Sequence, residues 1–304
     1  MTTAVPKTRD WENVFSAWAK GPSKSEQERA ENAERQVYQA IQNCDELKHR
    51  DIKVFTQGSY RNRVNVRQDS DVDVGVLCFD TYFPDFSDDN VKSEVIKRQE
   101  PASYTYERFK TELHHALVTR FGASNVTRGD KAFQIDENSY RVNADVAAFF
   151  EHRRYVSNAR YVSGVQLVTD NERKEIVNWP EQHYSNGMVK NTNTHRHYKK
   201  AVRILKTLCN EMSNNGIAAA HPIPSFLVEC LVWNTPNSAF DASTYRSMIR
   251  AVLAELFYAT LRTDSCSEWG EVSELKYLFR STQPWTREQA HSFLSAAWDY
   301  IGYE

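Results

Sequence analysis

Cysteine is scarce in this chain: five residues in 304, Cys44, Cys78, Cys209, Cys230 and Cys266, an odd number with no CxxC pair. Such scatter gives no basis for a disulfide framework or a cysteine-built zinc site. Small buried hydrophobes or free thiols of a reducing compartment are what it fits. Long apolar runs are missing too. None approaches the roughly 20 residues needed to span a bilayer, and the N-terminus carries no apolar signal segment. A cytoplasmic location with no membrane partner is the expectation. Nor does charge of one sign prevail, with 38 Lys and Arg against 40 Asp and Glu and a formal net charge of −2. That excludes a surface that traps nucleic acid everywhere, but not a local basic site for small phosphorylated ligands. With only 10 glycines and 9 prolines, there is no low-complexity segment and no internal repeat. What is present is a globular profile, 40% hydrophobic and 26% charged, in a length between one large domain and two ordinary ones.

The pattern of apolar residues divides the chain. Trp11 to Trp18 predicts a short helix, and Ser25 with Glu28 reads as a capping box opening a long one. Its inner face is Ala30, Ala33, Val37, Ile41 and Cys44. Ile52 to Phe55 predicts a strand ended by Gln57-Gly58-Ser59, followed by a polar, basic connection from Tyr60 to Gln68. Asp71, Asp73 and Gly75 then alternate with Val72, Val74 and Val76, the two-residue period of a strand with one polar and one apolar face. A helix is expected over Tyr106 to Phe121, with Phe109, Leu113, Ala116 and Leu117 inward, and a hairpin over Phe133 to Ile135 and Tyr140 to Phe149. Asn178 to Asn193 reads as loop, with Pro180 and Gly187 in it. Helices then follow at roughly 195–213, 224–233, 243–262 and 286–301. The expected fold is α+β, with a mixed-sheet domain over 1–170, a loop and helical domain over 171–304, and a cleft between them.

Residues i and i+2 of a strand point to the same side, so Asp71 and Asp73 present two carboxylates together. Charges that close repel unless a cation neutralises them, and hard oxygen ligands suit Mg²⁺, which completes its shell with water and substrate phosphates. Asp145, the lone acid of an otherwise apolar strand, is the candidate third ligand. Two ions in such a site sit roughly 3.5–4 Å apart on either side of an in-line displacement. One lowers the pKa of an attacking hydroxyl, the other stabilises the leaving group, and Asp145 is placed to take the hydroxyl proton. Asp69-Ser70-Asp71-Val72-Asp73 also has the look of a calcium loop, but its sixth position is Val74 rather than Gly and its twelfth Asp80 rather than Glu. Downstream, Lys199, Arg203 and Lys206 fall at i, i+4 and i+7 and form a basic stripe, with Val202, Leu205 and Cys209 on another side. His195 with His197, and His114 with His115, point to different faces and cannot share an ion; the first two read as polar residues at a helix start.

A Gly58-Ser59 turn, eleven intervening residues, then Asp71-Val72-Asp73-Val74 on a strand resembles the signature of the polymerase-β-type nucleotidyltransferase superfamily. Gln57 stands where that pattern has an apolar residue. Within the superfamily, Gly58–Asn62, Asp69–Val74, Val142–Val146, His197–Lys206 and Ile223–Leu231 are similar to the core of the cGAS/DncV-like nucleotidyltransferases. Leu278-Phe279, Gln283-Pro284-Trp285 and Ala297-Trp298 resemble bacterial members, which make cyclic oligonucleotide messengers of anti-phage defence.

The resemblance implies a role for each matching residue. Asp71, Asp73 and Asp145 would bind two Mg²⁺ ions, or Mn²⁺ in their place. Gln57, Gly58 and Ser59 would hold the triphosphate tail. Lys206 and Ser225 would contact donor phosphates, assisted by Arg203 and Lys199. The implied partners are nucleoside triphosphates, ATP among them, and the family allows an activating protein or ligand of a defence operon. The His and Cys insertion through which vertebrate relatives bind zinc and sense DNA is absent, so zinc-dependent DNA sensing is not expected. A monomer or weak oligomer is. A cyclic di- or trinucleotide is the implied product. A linear tailing or oligoadenylate-type product, and an inactive nucleotide-binding scaffold, are the competing expectations.

Overall fold

The computed structural model describes residues 9–66, 71–97, 100, 102–137, 143–157 and 160–304. These fall into two compact units. One takes residues 23–62 and 71–180; the other takes 9–22, 63–66 and 181–304. The expected domains, 1–170 and 171–304, differ from this grouping at both ends: residues 9–22 and 63–66 go with the helices, and 171–180 stay with the sheet.

The first unit opens with α2 (Lys24–Gln42), β1 (Ile52–Thr56) and the one-turn α3 (Gly58–Asn62), after α1 (Trp11–Trp18) of the other unit. β2 (Val72–Phe86), α4 (Asp89–Ile96), α5 (Tyr106–Phe121), β3 (Val126–Arg128), β4 (Phe133–Ile135), β5 (Ala144–Ser157), β6 (Arg160–Val168) and β7 (Glu175–Asn178) complete it. The capping box of α2 is Ser23 with Glu26, not Ser25 with Glu28. Both pairs have the required spacing, but Ser23 alone has the extended backbone of a cap. The inner faces are as the periodicity predicts, with Ala30, Ala33, Val37, Ile41 and Cys44 of the first helix region buried with Phe109, Leu113, Ala116 and Leu117 of α5 in one core.

The seven strands form one sheet in the order β1-β2-β5-β4-β3, with β6 pairing β5 and β7 pairing β6. β1 is antiparallel to β2, and β2 runs parallel to β5. Val72, Val74 and Val76 of β2 have no exposed surface. Each such side chain contributes roughly 1.5–3 kcal/mol of burial, which fixes the register of the aspartates between them. The expected hairpin is the antiparallel β4–β5 pair. Its Tyr140–Val142 portion lies outside the described residues, as do Gln68, Asp69 and Ser70. β3, β6 and β7 had no counterpart in the sequence reading.

The second unit contains α1, α6 (Pro180–Asn193), α7 (Tyr198–Asn214), α8 (Ser225–Trp233), α9 (Tyr245–Leu261), α10 (Thr263–Cys266) and α11 (Arg287–Ile301). The stretch expected as loop is therefore the end of β7 and all of α6. Pro180 is its first helical residue, where a missing N–H costs nothing. Its buried residues are His183, Gly187 and Lys190, a helical period carried by no large hydrophobe. α7 begins at Tyr198, three residues later than expected. His195 and Arg196 take left-handed backbone (φ 49° and 67°) in the link, and His197 is the N-cap, facing the Phe240 carbonyl through Nδ1 at 3.0 Å.

α1 packs on α7 and α9. Trp11 and Phe15 are buried in the helical core, the Arg9 guanidinium pairs with Glu211 of α7, and the Glu12 carboxylate accepts the Tyr245 and Arg246 N–H groups at the start of α9. No helix among the described residues is long and apolar enough to cross a membrane.

Candidate active site

In the sheet unit, the β2–β5 register sets Asp73 directly opposite Asp145. Asp71 lies exposed, immediately before the first residue of β2, two positions from Asp73. Burial of its half-covered carboxyl, and then the negative charge of Asp71, raise the Asp145 pKa above the ordinary aspartate value. Neither the Asp71 nor the Asp145 carboxylate has a hydrogen-bond or ion-pair partner among the described residues. The three expected acids therefore lie at one end of the β2–β5 pair, Asp145 close enough to Asp71 to feel its charge, and no neighbouring side chain of Asp71 or Asp145 neutralises them. That is a donor set of hard oxygens fitted to divalent cations.

The glycine of the Gly-Ser turn is required twice. Gly58 has φ +62°, and a Cβ built on it would lie 2.0 Å from Asp73 Oδ2 and 2.9 Å from its Cγ. The Gln57 N–H donates to the Asp73 carbonyl at 2.8 Å, tying the turn to the strand. Ser59, partly exposed, is the second residue of α3. The backbone of the turn thus approaches the Asp73 carboxylate as only a residue without a side chain allows.

In the helical unit, the basic stripe differs from its expected form. Lys199, Arg203 and Lys206 are all buried, because neighbouring helices cover the face on which they lie. Arg203 donates from Nε and Nη2 to the Ala19 carbonyl (2.8 and 2.6 Å) and from Nη1 to the Arg63 carbonyl (2.7 Å). It ties α1 and residue 63 to α7, so in this structure Nε, Nη1 and Nη2 all face backbone carbonyls. Burial, reinforced by the Arg63 and Arg203 charges and opposed by Glu229, lowers the Lys199 pKa to about 8. Its Nζ lies 3.2 Å from Met188 Sδ. Lys206 donates to Glu229 Oε2 at 3.1 Å, and Glu229 Oε1 pairs with His183 Nε2 at 2.8 Å. Ser225, the first residue of α8, is exposed.

Glu229 and His183 were not singled out in the sequence. Glu229 stands within the Ile223–Leu231 segment, four residues after Ser225, but nothing in the spacing of 183, 206 and 229 marks them as neighbours. A further group also escaped notice: ligand atoms of Cys44, Glu46 and His115 lie within 4.8 Å of one another, with the Cys44 thiol donating to Glu46 at 3.1 Å.

Comparison with known proteins identifies the family. Residues 185–302 match the family model of the cGAS/DncV-like nucleotidyltransferase C-terminal helical domain. A cyclic dipyrimidine nucleotide synthase CdnE of Legionella pneumophila is 42% identical over 96% of this chain and 98% of its own. One of the same name from Cecembia lonarensis is 39% identical over 96% and 98%. Among solved structures, a CdnE cyclic dinucleotide synthase of Elizabethkingia meningoseptica with GTP and Apcpp superposes with a TM-score of 0.79 at 32% identity, covering 96% of this chain and 99% of that one. The chain belongs to the cGAS/DncV-like nucleotidyltransferases, the enzymes among which these cyclic nucleotide synthases fall.

Proposed function

We propose that this enzyme joins two pyrimidine nucleoside triphosphates into a cyclic dinucleotide, a second messenger of anti-phage defence. The observation that carries the chemistry is the Asp73–Asp145 pairing across β2 and β5, with Asp71 two residues away and Gly58 against the Asp73 carboxylate. The pyrimidine choice is supported by the two curated relatives named above, both cyclic dipyrimidine synthases. ATP, expected among the substrates from the resemblance, becomes the competing donor. The defence role rests on the resemblance to bacterial defence enzymes.

At each bond, a ribose hydroxyl oxygen of one nucleotide attacks the α-phosphorus of the other. A P–O bond forms, the bond to the β-phosphate bridge breaks, and pyrophosphate leaves. The hydroxyl proton passes to the Asp145 carboxylate, which stands opposite Asp73 across the β2–β5 pair. Gln57, Gly58 and Ser59 hold the triphosphate tail, with Lys206 and Ser225 on donor phosphates. Asp71, Asp73 and Asp145 would hold two divalent cations, Mg²⁺ or Mn²⁺, which supply charge neutralisation of the triphosphate and acidification of the attacking hydroxyl. Repeating the transfer with the roles of the two nucleotides exchanged closes the ring.

Purified protein incubated with labelled triphosphates, singly and in pairs with Mg²⁺, then phosphatase, tests the reading by mass spectrometry. A phosphatase-resistant cyclic dipyrimidine is expected. A product requiring ATP would overturn the base choice, and phosphatase-sensitive chains would overturn cyclisation. Absence of pyrophosphate from every mixture would overturn the activity itself. Asp71→Asn should lower turnover by about 10³-fold or more, equivalent to about 4 kcal/mol of transition-state stabilisation, with an unchanged circular-dichroism spectrum.

A further inference from the structure

A buried carboxylate lies on the same helix face as the Ser225 hydroxyl, one turn further along α8. Glu229 is 4% exposed, and its two oxygens have different partners: Oε1 meets His183 Nε2 at 2.8 Å, and Oε2 receives a hydrogen bond from Lys206 Nζ at 3.1 Å. The Lys206 side chain is 3% exposed. We propose that Glu229, braced by His183, is the positioning residue that aims Lys206 at the donor triphosphate. This deepens the nucleotidyl-transfer reading and rests on it.

Three observations support that role over simple packing. First, an ammonium has three N–H donors, and among the described residues Glu229 is the hydrogen-bond partner of Lys206. The remaining donors have no partner among the described residues, and two oxygens of one phosphate would satisfy them. Second, a buried ion pair is a poor way to hold helices together, since apolar side chains of the same volume generally do as well or better. Here α6, α7 and α8 contribute one charged or polar group each to a single contact, which fixes the direction of a long, otherwise rotatable lysine. Third, the cluster is not a closed network. The Tyr198 hydroxyl, completely buried and close enough for the Glu229 charge to raise its pKa, has no partner among the described residues. Burial alone would push Glu229 up, but the Lys206 and His183 charges and their hydrogen bonds outweigh it and hold the carboxyl at about 2. Glu229 is thus a permanent anion, and a fixed orienting charge through the neutral pH range.

A double-mutant cycle on the full-length protein separates positioning from packing. The dissociation constant of a non-hydrolysable UTP analogue is measured for wild type, Glu229→Gln, Lys206→Met and the double variant, with melting curves for each. Glu229→Gln is expected to weaken binding by about tenfold or more in the wild-type background. In the Lys206→Met background the same change should shift it less than about twofold. Equal losses in both backgrounds, or unaltered binding by Glu229→Gln, would overturn the proposal. Should Glu229→Gln not fold, His183→Gln completes the same cycle with Lys206→Met, and additive losses there overturn it equally. A wild type that neither binds the analogue nor releases pyrophosphate would instead refute the nucleotidyl-transfer reading. A wild type that binds it without coupling refutes Glu229 alone.

Discussion

Asp145 carries opposed demands. Its carboxylate is useful to catalysis because it is half-buried and beside Asp71, and for the same reasons its charge opposes folding. A carboxyl whose folded pKa lies above the unfolded one contributes stability that is complete below the unfolded value and lost as pH rises through the folded value. At neutral pH the metal-free wild type therefore bears a penalty that Asp145→Asn removes. The variant should be inactive yet melt higher than wild type at pH 7 without metal, with the difference vanishing near pH 3.5. Mg²⁺ should raise the melting temperature of wild type more than that of the variant. A lower melting temperature for the variant at pH 7 would show that the charge is already compensated. Asp71 and Asp73, just before and within β2, were legible as candidates in the sequence because a strand repeats every two residues, so neighbours in space are neighbours in the chain. The Lys206–Glu229–His183 contact was not, because three separate helices meet there. A helical wheel shows which residues share a face, not which face other helices cover.

At the scale of the element, the turn between β1 and α3 decides whether the strand below it works. Ala in place of Gly58 adds a methyl 2.0 Å from Asp73 Oδ2 at a φ of +62°. The left-handed backbone alone costs roughly 1–2 kcal/mol for a residue with a Cβ. Displacing the carboxylate by even 1 Å is worth on the order of 10²-fold in rate. Gly58→Ala should thus lose activity well beyond its loss of stability, read as pyrophosphate release against a melting curve. The Gly-Ser pair was recognisable as a motif, whereas its reason, the approach of Asp73, needed the register of β2 against β1. α6 shows the opposite case. Its inward positions hold His183, Gly187 and Lys190, and the Lys190 ammonium donates to the Thr235 carbonyl at 2.7 Å. Sequence patterning detects helices through apolar periodicity, so a helix that buries an imidazole, a glycine and an ammonium reads as loop.

Across the whole molecule, the helical unit is assembled from pieces distant in the chain. α1 is held to it by the fully buried Phe15, the Arg9–Glu211 pair and the Glu12 cap on α9. Phe15→Ala should cost about 3–5 kcal/mol in denaturant unfolding, and a value under about 1 kcal/mol would show that α1 is dispensable to the helical core. The split into a sheet half and a helical half was visible from the change of pattern along the chain. The membership of residues 9–22 was not, because an amphipathic helix shows that it has a partner without showing which.

During synthesis α1 leaves the ribosome long before the surfaces that receive it. Phe15 and the residues of α9 are separated by roughly 230 positions, which at 5–20 residues per second is on the order of ten to fifty seconds. Until α7 and then α9 emerge, the Trp11 and Phe15 side chains lack their native cover, while the sheet unit, complete by residue 180, is free to form around its aspartates. The order of emergence thus builds the carboxylate site before the helices that bear Lys206 and Ser225 exist. It leaves the apolar face of α1 waiting for α7 and α9.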